Sequence, residues 1–163
     1  GVGAFADCRR GLDAVDGMVA ALEESVRAKG KPCLGICVGM QMLYDGSEEA
    51  PDVKGMGVLP GMVRLLPEGV KRPQMQWNLL ERRGDPALLA GVPDPAWAYF
   101  VHSYAADTDD AIVIATSDYG GPVVAAVEQG SVWATQFHPE KSSRTGLAAL
   151  QAFVDRAAAP VAA

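Results

Sequence analysis

The chain has 163 residues, 49% hydrophobic and 21% charged, the make-up of one globular domain with a proper core. A formal net charge of −6 argues against a nucleic-acid-binding surface. No apolar run reaches the roughly 18 residues of a membrane span, and the first residues show no signal-peptide pattern. The three cysteines, Cys8, Cys33 and Cys37, form no paired framework, so a reducing, cytoplasmic setting is expected.

Gly1-Val2-Gly3-Ala4-Phe5 is a glycine-rich opening with no strand before it. It starts at glycine, not methionine, so the expectation is a chain that begins inside a longer one or has been trimmed. Val15, Met18, Val19, Leu22 and Val26 have the spacing of one helical face and predict a helix over 12–29. Gly30 suits its left-handed cap. Pro32 to Ile36 is short and apolar, which predicts a central, parallel strand. Met40 to Tyr44 reads as the opening of a helix.

Residues 45–61, rich in Gly, Pro, Asp and Glu, read as a loop. One or two short strands are expected in 57–66, an exposed segment over 71–78 and a helical turn over 86–90. Four strand-like runs follow, 98–103, 111–116, 123–128 and 132–137, the last two joined by the hairpin signal Gln129-Gly130. A final helix over 143–157 should bury Leu147, Leu150, Phe153 and Val154, with Ser142 or Ser143 as its N-cap. The sum is one domain over 1–163. Its expected class is α/β, a flavodoxin-like, mostly parallel mixed sheet flanked by helices, with an antiparallel portion.

The chemistry centres on Gly35-Ile36-Cys37-Val38-Gly39. Between a strand and a helix, a Gly-x-nucleophile-x-Gly pattern is a nucleophile elbow. The turn is sharp, and side chains at Gly35 and Gly39 would collide with backbone. A thiol there meets a helix N-terminus, whose field favours the thiolate. A free cysteine is by default a small buried hydrophobe; what stands downstream decides against that default.

A cysteine attacking an amide needs a base. Of the two histidines, His138 stands in Gln136-Phe137-His138-Pro139-Glu140, just past a strand. Pro139 holds it extended, and Glu140, two residues on, faces the same way and can fix its tautomer. Cys37, His138 and Glu140 thus make a triad in roles. His102 has no carboxylate within the next three residues, so a buried, supporting role is expected. The Cys33–Cys37 spacing is wrong for common zinc sites, and no metal or cofactor is expected.

Gly35-Ile36-Cys37-Val38-Gly39-Met40-Gln41 and Gln136-Phe137-His138-Pro139-Glu140-Lys141-Ser142 together resemble the class I, triad-type glutamine amidotransferases. Gly-Met-Gln after the cysteine, Tyr99 to Tyr104 and the Glu-Lys-Ser ending look most like glutaminases that serve histidine biosynthesis. The resemblance implies hydrolysis of glutamine through a cysteine thioester. It also implies delivery of the ammonia to a (β/α)8 cyclase in a heterodimer, which makes imidazole glycerol phosphate and AICAR. It assigns Gly1, Val2, Gly3 and Val38 to the oxyanion site, Gln41 to the substrate's amino-acid end, and His102, Ser103 and Tyr104 to the surrounding pocket. Met75, Trp77 and Asn78 fall where the family meets its partner. The family reads Pro-His-Met-Gly-Trp-Asn where this chain has Pro73-Gln74-Met75-Gln76-Trp77-Asn78. It also carries a strand and helix ahead of Gly1, and without them an apolar sheet edge and poor solubility are expected. Two other readings stand beside this one: a glutaminase of the anthranilate or aminodeoxychorismate type, and a binding module that keeps the motif but cannot form the oxyanion hole.

Overall fold

The computed structural model describes residues 2–159. Helices α1 (Phe5–Asp13) and α2 (Met18–Glu23) open the fold, α2 running on into a π-helical turn, Glu24–Ala28. Strand β1 (Cys33–Ile36) leads through Cys37 into the short helix α3 (Val38–Gln41). Then come β2 (Met62–Leu65), β3 (Gln74–Leu79), β4 (Glu81–Arg82) and a 3-10 turn, Ala87–Leu89. Strands β5 (Trp97–His102), β6 (Tyr104–Asp107), β7 (Val113–Asp118), β8 (Pro122–Gln129) and β9 (Val132–Thr135) follow. A 3-10 turn, Pro139–Lys141, and helix α4 (Ser143–Ala158) close it.

The main sheet has five strands in the order β1-β9-β8-β7-β4. β1 runs parallel to β9, with Cys33 opposite Val132 and Ile36 opposite Thr135. β8 and β9 form the expected hairpin, and Gly130 supplies the positive φ of its turn. β2 pairs with β6 and β3 with β5, both antiparallel.

The α/β class with a mixed sheet is as expected; the balance of directions is not. Among the described strands one pairing is parallel and the others are antiparallel. A parallel neighbour needs a crossover of about a dozen residues or more, and Gly120-Gly121 and Gly130 give tight turns instead. β1 is parallel as read, but it ends the strand order among the described residues.

Three local expectations are corrected. The helix over 12–29 is broken, because Gly17 takes φ 72 between α1 and α2, and of its predicted face Val26 is buried while Val15 lies open. The segment 71–78 is not simply exposed: Gln74 to Leu79 form β3, in register with His102 to Trp97. The buried face of α4 is Thr145, Gly146 and Ala149, with Phe153 against the core, while Leu147 is 67% exposed. The reason is a close approach: a Cβ on Gly146 would sit 1.8 Å from the carbonyl oxygen of Pro139. Small residues let α4 lie hard against the turn after His138.

The sheet is covered on both faces. Phe100, Trp133 and Phe137 pack beneath α4 and the Ala87–Leu89 turn. Met40, Leu43, Tyr44, Leu59, Val127 and Val132 fill the other side, with Val26. Burial of each such side chain stabilises the fold by about 1.5–3 kcal/mol. Both ends of the sequence motif are therefore fixed by core: α3 by Met40, the stretch after β9 by Phe137.

Candidate active site

Cys37 stands between β1 and α3 with φ 51 and ψ −114, one of two non-glycine residues at positive φ among those described. That conformation costs about 1–3 kcal/mol and survives only where its surroundings over-determine it. They do so here. The Cys37 N–H donates to Thr135 O at 2.8 Å and the Cys37 carbonyl accepts from Gln41 N at 3.1 Å. A Cβ on Gly35 would meet Gly39 O and the Cα of Met40, each at 2.9 Å. The expected collision at Gly35 is thus real, and the strand-to-helix elbow needs glycine there.

The sulfur is largely buried. Burial pushes the Cys37 thiol up, the Val38 N–H pulls it down, and the charges of Glu140 and Cys8 push it up again. The net is upward, so the helix terminus does not by itself give a thiolate. The Gln136 side chain donates to Cys37 Sγ at 3.7 Å, and Val101 O lies 4.0 Å from it.

His138, 1% exposed, is tied by its N–H to Tyr99 O at 3.0 Å. Its φ of −94 and ψ of 99 are the extended backbone that Pro139 imposes. Its Nδ1 lies 2.6 Å from Glu140 Oε1. A carboxylate only accepts, so Nδ1 carries the proton and Nε2 of the neutral ring is a bare acceptor. Glu140 returns by the 3-10 turn, not by the strand alternation the sequence suggested. Desolvation pushes the Glu140 carboxyl up, but the bonds from His138 and its own N–H outweigh that and hold it below the ordinary value. His138 Nε2 is buried with no partner among the described residues. It makes no hydrogen bond to Cys37 in this structure.

Beside Cys37 lies a pocket of about 230 Å³, lined by Gly3, Val38, Gln41, Glu49, Pro73 and residues 101–104. Gly3, Val38, Gln41, His102, Ser103 and Tyr104 thus line one pocket with Cys37, and His138 and Glu140 are not part of that lining. Val2 does not join them; it is 80% exposed and borders a different cavity. Gly1 lies outside the described residues. That second cavity, about 390 Å³ between α1, α2 and β1, is lined almost wholly by apolar groups and offers nothing to orient a polar substrate.

His102 is buried, with Nδ1 2.9 Å from Tyr104 O and Nε2 3.0 Å from the Gln74 amide. Burial lowers it to about 4, against which the Tyr104 carbonyl works. A neutral ring donating from Nδ1 accepts at Nε2, so the Gln74 amide, whose Oε1 stands at this contact, must be turned over to offer its NH2. That also gives the Gln74 amide nitrogen the partner it otherwise lacks.

The sequence reading missed Glu49. Its carboxylate lines the pocket and accepts from Phe5 N at 3.0 Å, capping α1. Phe5 in turn packs on Val38 and Met42. So one acid fixes the segment carrying Gly3 and faces the cavity. The only sequence signal was a carboxylate in a loop after the elbow helix.

On β3, Met75 and Trp77 point outward with Leu79, beside Trp97, Tyr99 and Val101 of β5. Trp77 is 45% exposed and meets Tyr99 edge-on at 6.1 Å. Asn78 does not share that face; its side chain donates to Asp118 O at 2.8 Å. The β-alternation of Gln74 to Leu79 separates the two sets.

The class I glutamine amidotransferase family matches residues 1–157. The chain is 47% identical to imidazole glycerol phosphate synthase subunit HisH of Brucella suis, over 94% of this chain and 74% of that protein. It is 49% identical to the protein of the same name from Bradyrhizobium diazoefficiens, with the same coverage. Among solved structures, a glutamine amidotransferase superposes with a TM-score of 0.66 at 21% identity, over 88% of this chain and 69% of that one. At that identity it speaks for the fold alone. A glutamine amidotransferase from Thermotoga maritima gives a TM-score of 0.56 at 26% identity, over 83% of this chain and 52% of that one.

Proposed function

The chain belongs to the class I glutamine amidotransferase family, and on that premise we propose how its residues do the family's work. It hydrolyses glutamine to glutamate and ammonia, as the glutaminase subunit of imidazole glycerol phosphate synthase in histidine biosynthesis. The observation that carries the residue assignment is the backbone of Cys37. A strained φ of 51, enforced by Gly35, presents a sulfur at a polar pocket.

Glutamine enters that pocket with its ammonium toward Glu49 and its amino-acid end near Gln41, Ser103 and Tyr104. The Cys37 thiol loses its proton to the bare Nε2 of His138. The thiolate attacks the side-chain amide carbon. The oxyanion takes the N–H of Val38 and one from the segment holding Gly3, each donor worth about 3–4 kcal/mol. His138 then protonates the departing ammonia and activates water to open the thioester, while Glu140 holds the ring. The free Nε2 and the sulfur close on each other as substrate fills the site, as catalytic hydrogen bonds commonly tighten only in the complex.

The ammonia goes to a (β/α)8 cyclase partner in the cytoplasm. The exposed apolar face of Met75, Trp77, Leu79 and Trp97 is its docking surface, because large aromatic anchors of this kind dominate interfaces. Glutaminase activity measured with and without a co-expressed cyclase tests the whole reading. Cys37→Ala should abolish turnover and labelling by a glutamine-like diazo-ketone, and Trp77→Ala should break co-purification while leaving the glutaminase folded. Turnover that survives Cys37→Ala would sink the nucleophile.

A further inference from the structure

We propose that Gln136 is a positioning residue of this reaction, its amide NH2 steadying the Cys37 sulfur while its amide oxygen is held by Gln41. The proposal rests on Cys37 being the nucleophile, as argued above.

Gln136 is fully buried, and its backbone N–H is fixed on Ala125 O at 2.8 Å. Its Oε1 accepts from Gln41 Nε2 at 3.0 Å, and its Nε2 reaches Cys37 Sγ at 3.7 Å. Gln41 Nε2 also donates to Tyr104 O at 3.0 Å, the carbonyl that His102 Nδ1 meets at 2.9 Å. The direction of this chain is forced from one end. A backbone carbonyl only accepts, so Gln41 turns its NH2 to Tyr104, and the second hydrogen of that NH2 goes to Gln136. Gln136 must then present oxygen to Gln41, which leaves its NH2 for the sulfur.

That arrangement discriminates between the two states of Cys37. A neutral thiol is a weak acceptor, so the buried amide is poorly satisfied against it. A thiolate is a charged acceptor, and a hydrogen bond to it is roughly twice as strong. The amide therefore favours the charged form, opposing the burial that pushes the thiol up. A purely structural glutamine would find an oxygen for its NH2. Gln136 follows β9 directly, two residues ahead of His138.

The test is the pH dependence of iodoacetamide alkylation, resolved by peptide mass spectrometry so that Cys37 is read apart from Cys8 and Cys33. Gln136→Met keeps the length and removes the donor; Gln136→Glu keeps the acceptor for Gln41 and faces the sulfur with an acid. The midpoint for Cys37 should rise by about one pH unit in Gln136→Met and further in Gln136→Glu. The glutaminase kcat should fall about tenfold with KM for glutamine unchanged, as for a loss confined to the reactive group. A folded Gln136→Met whose midpoint stays within about 0.2 unit of the parent overturns the proposal. Should that variant not fold, Gln41→Met carries the same test, since it frees the amide oxygen and lets the NH2 swing off the sulfur. An unshifted midpoint there overturns the proposal equally. A parent that alkylates at Cys37 but never turns over glutamine refutes the functional reading instead, and the midpoint shift still decides the role of Gln136.

Discussion

His138 donates from Nδ1 to Glu140 Oε1 at 2.6 Å, and its other ring nitrogen is buried without a partner among the described residues. A buried, unpaired acceptor costs free energy, and in the proposed mechanism this nitrogen takes the thiol proton. The half-exposed carboxylate sets which nitrogen that is. Glu140→Ala should lower kcat about 10²-fold while KM for glutamine holds, since general-base catalysis loses its oriented tautomer. Steady-state kinetics of the assembled enzyme check this; an unchanged kcat would remove Glu140 from the mechanism.

The strain at Cys37 makes a second prediction, of opposite signs for stability and activity. Cys37→Gly should raise stability by about 1 kcal/mol, because glycine takes positive φ freely, and should leave no glutaminase activity. Cys37→Ala keeps the unfavourable backbone and should show no such gain. Urea unfolding of the two variants, with equal slopes, measures the difference. A glycine variant no more stable than the alanine one would mean that the elbow stores no strain.

Gly146 and Gly11 form a matched pair. A Cβ at Gly146 meets the Pro139 carbonyl far inside contact distance, while one at Gly11 meets nothing within 4 Å. Gly146→Ala should cost about 3 kcal/mol and, by pushing α4 off the turn after His138, lower kcat as well. Gly11→Ala, inside α1, should stabilise by about 0.5–1 kcal/mol with activity intact. Thermal melts and glutaminase assays on both variants separate the two outcomes.

His102 gives a pH dependence of known sign. Burial holds it at about 4 in the folded chain, against 6.5 for the free side chain. The unfolded chain therefore binds this proton first. Its contribution to stability is complete above about pH 6.5, declines as pH falls toward about 4, and is constant below that. His102→Gln should flatten the parent's decline over this window, seen as unfolding free energies at about pH 7, 5.5 and 4.5. A parallel decline in both proteins would place the titrating group elsewhere.

These predictions draw unequally on sequence and structure. Gly35 to Gly39 and Gln136 to Glu140 were legible because their chemistry is local: a glycine forced by a turn, a proline that fixes the residue before it. The positive φ of Cys37 and the His138–Glu140 bond follow those local rules. Gly130 at a hairpin was legible for the same reason. The broken helix at Gly17 and the strand over Gln74 to Leu79 were not, since a helical apolar pattern tolerates an interruption and a strand needs a partner to exist. Only β5, far along the chain, makes β3 a strand.

The amino-acid sequence alone pointed to the candidate reactive groups and determined the elbow that carries one of them and the carboxylate bonded to the other, because each depends on neighbours within a few residues. Tertiary structure alone decided which groups share the pocket. Glu49 reaches it while capping α1, Gln136 touches the sulfur across the parallel pair β1–β9 without lining the pocket, and Asn78 turns away to Asp118. Those placements come from strand register and helix packing between distant segments, which no local pattern encodes.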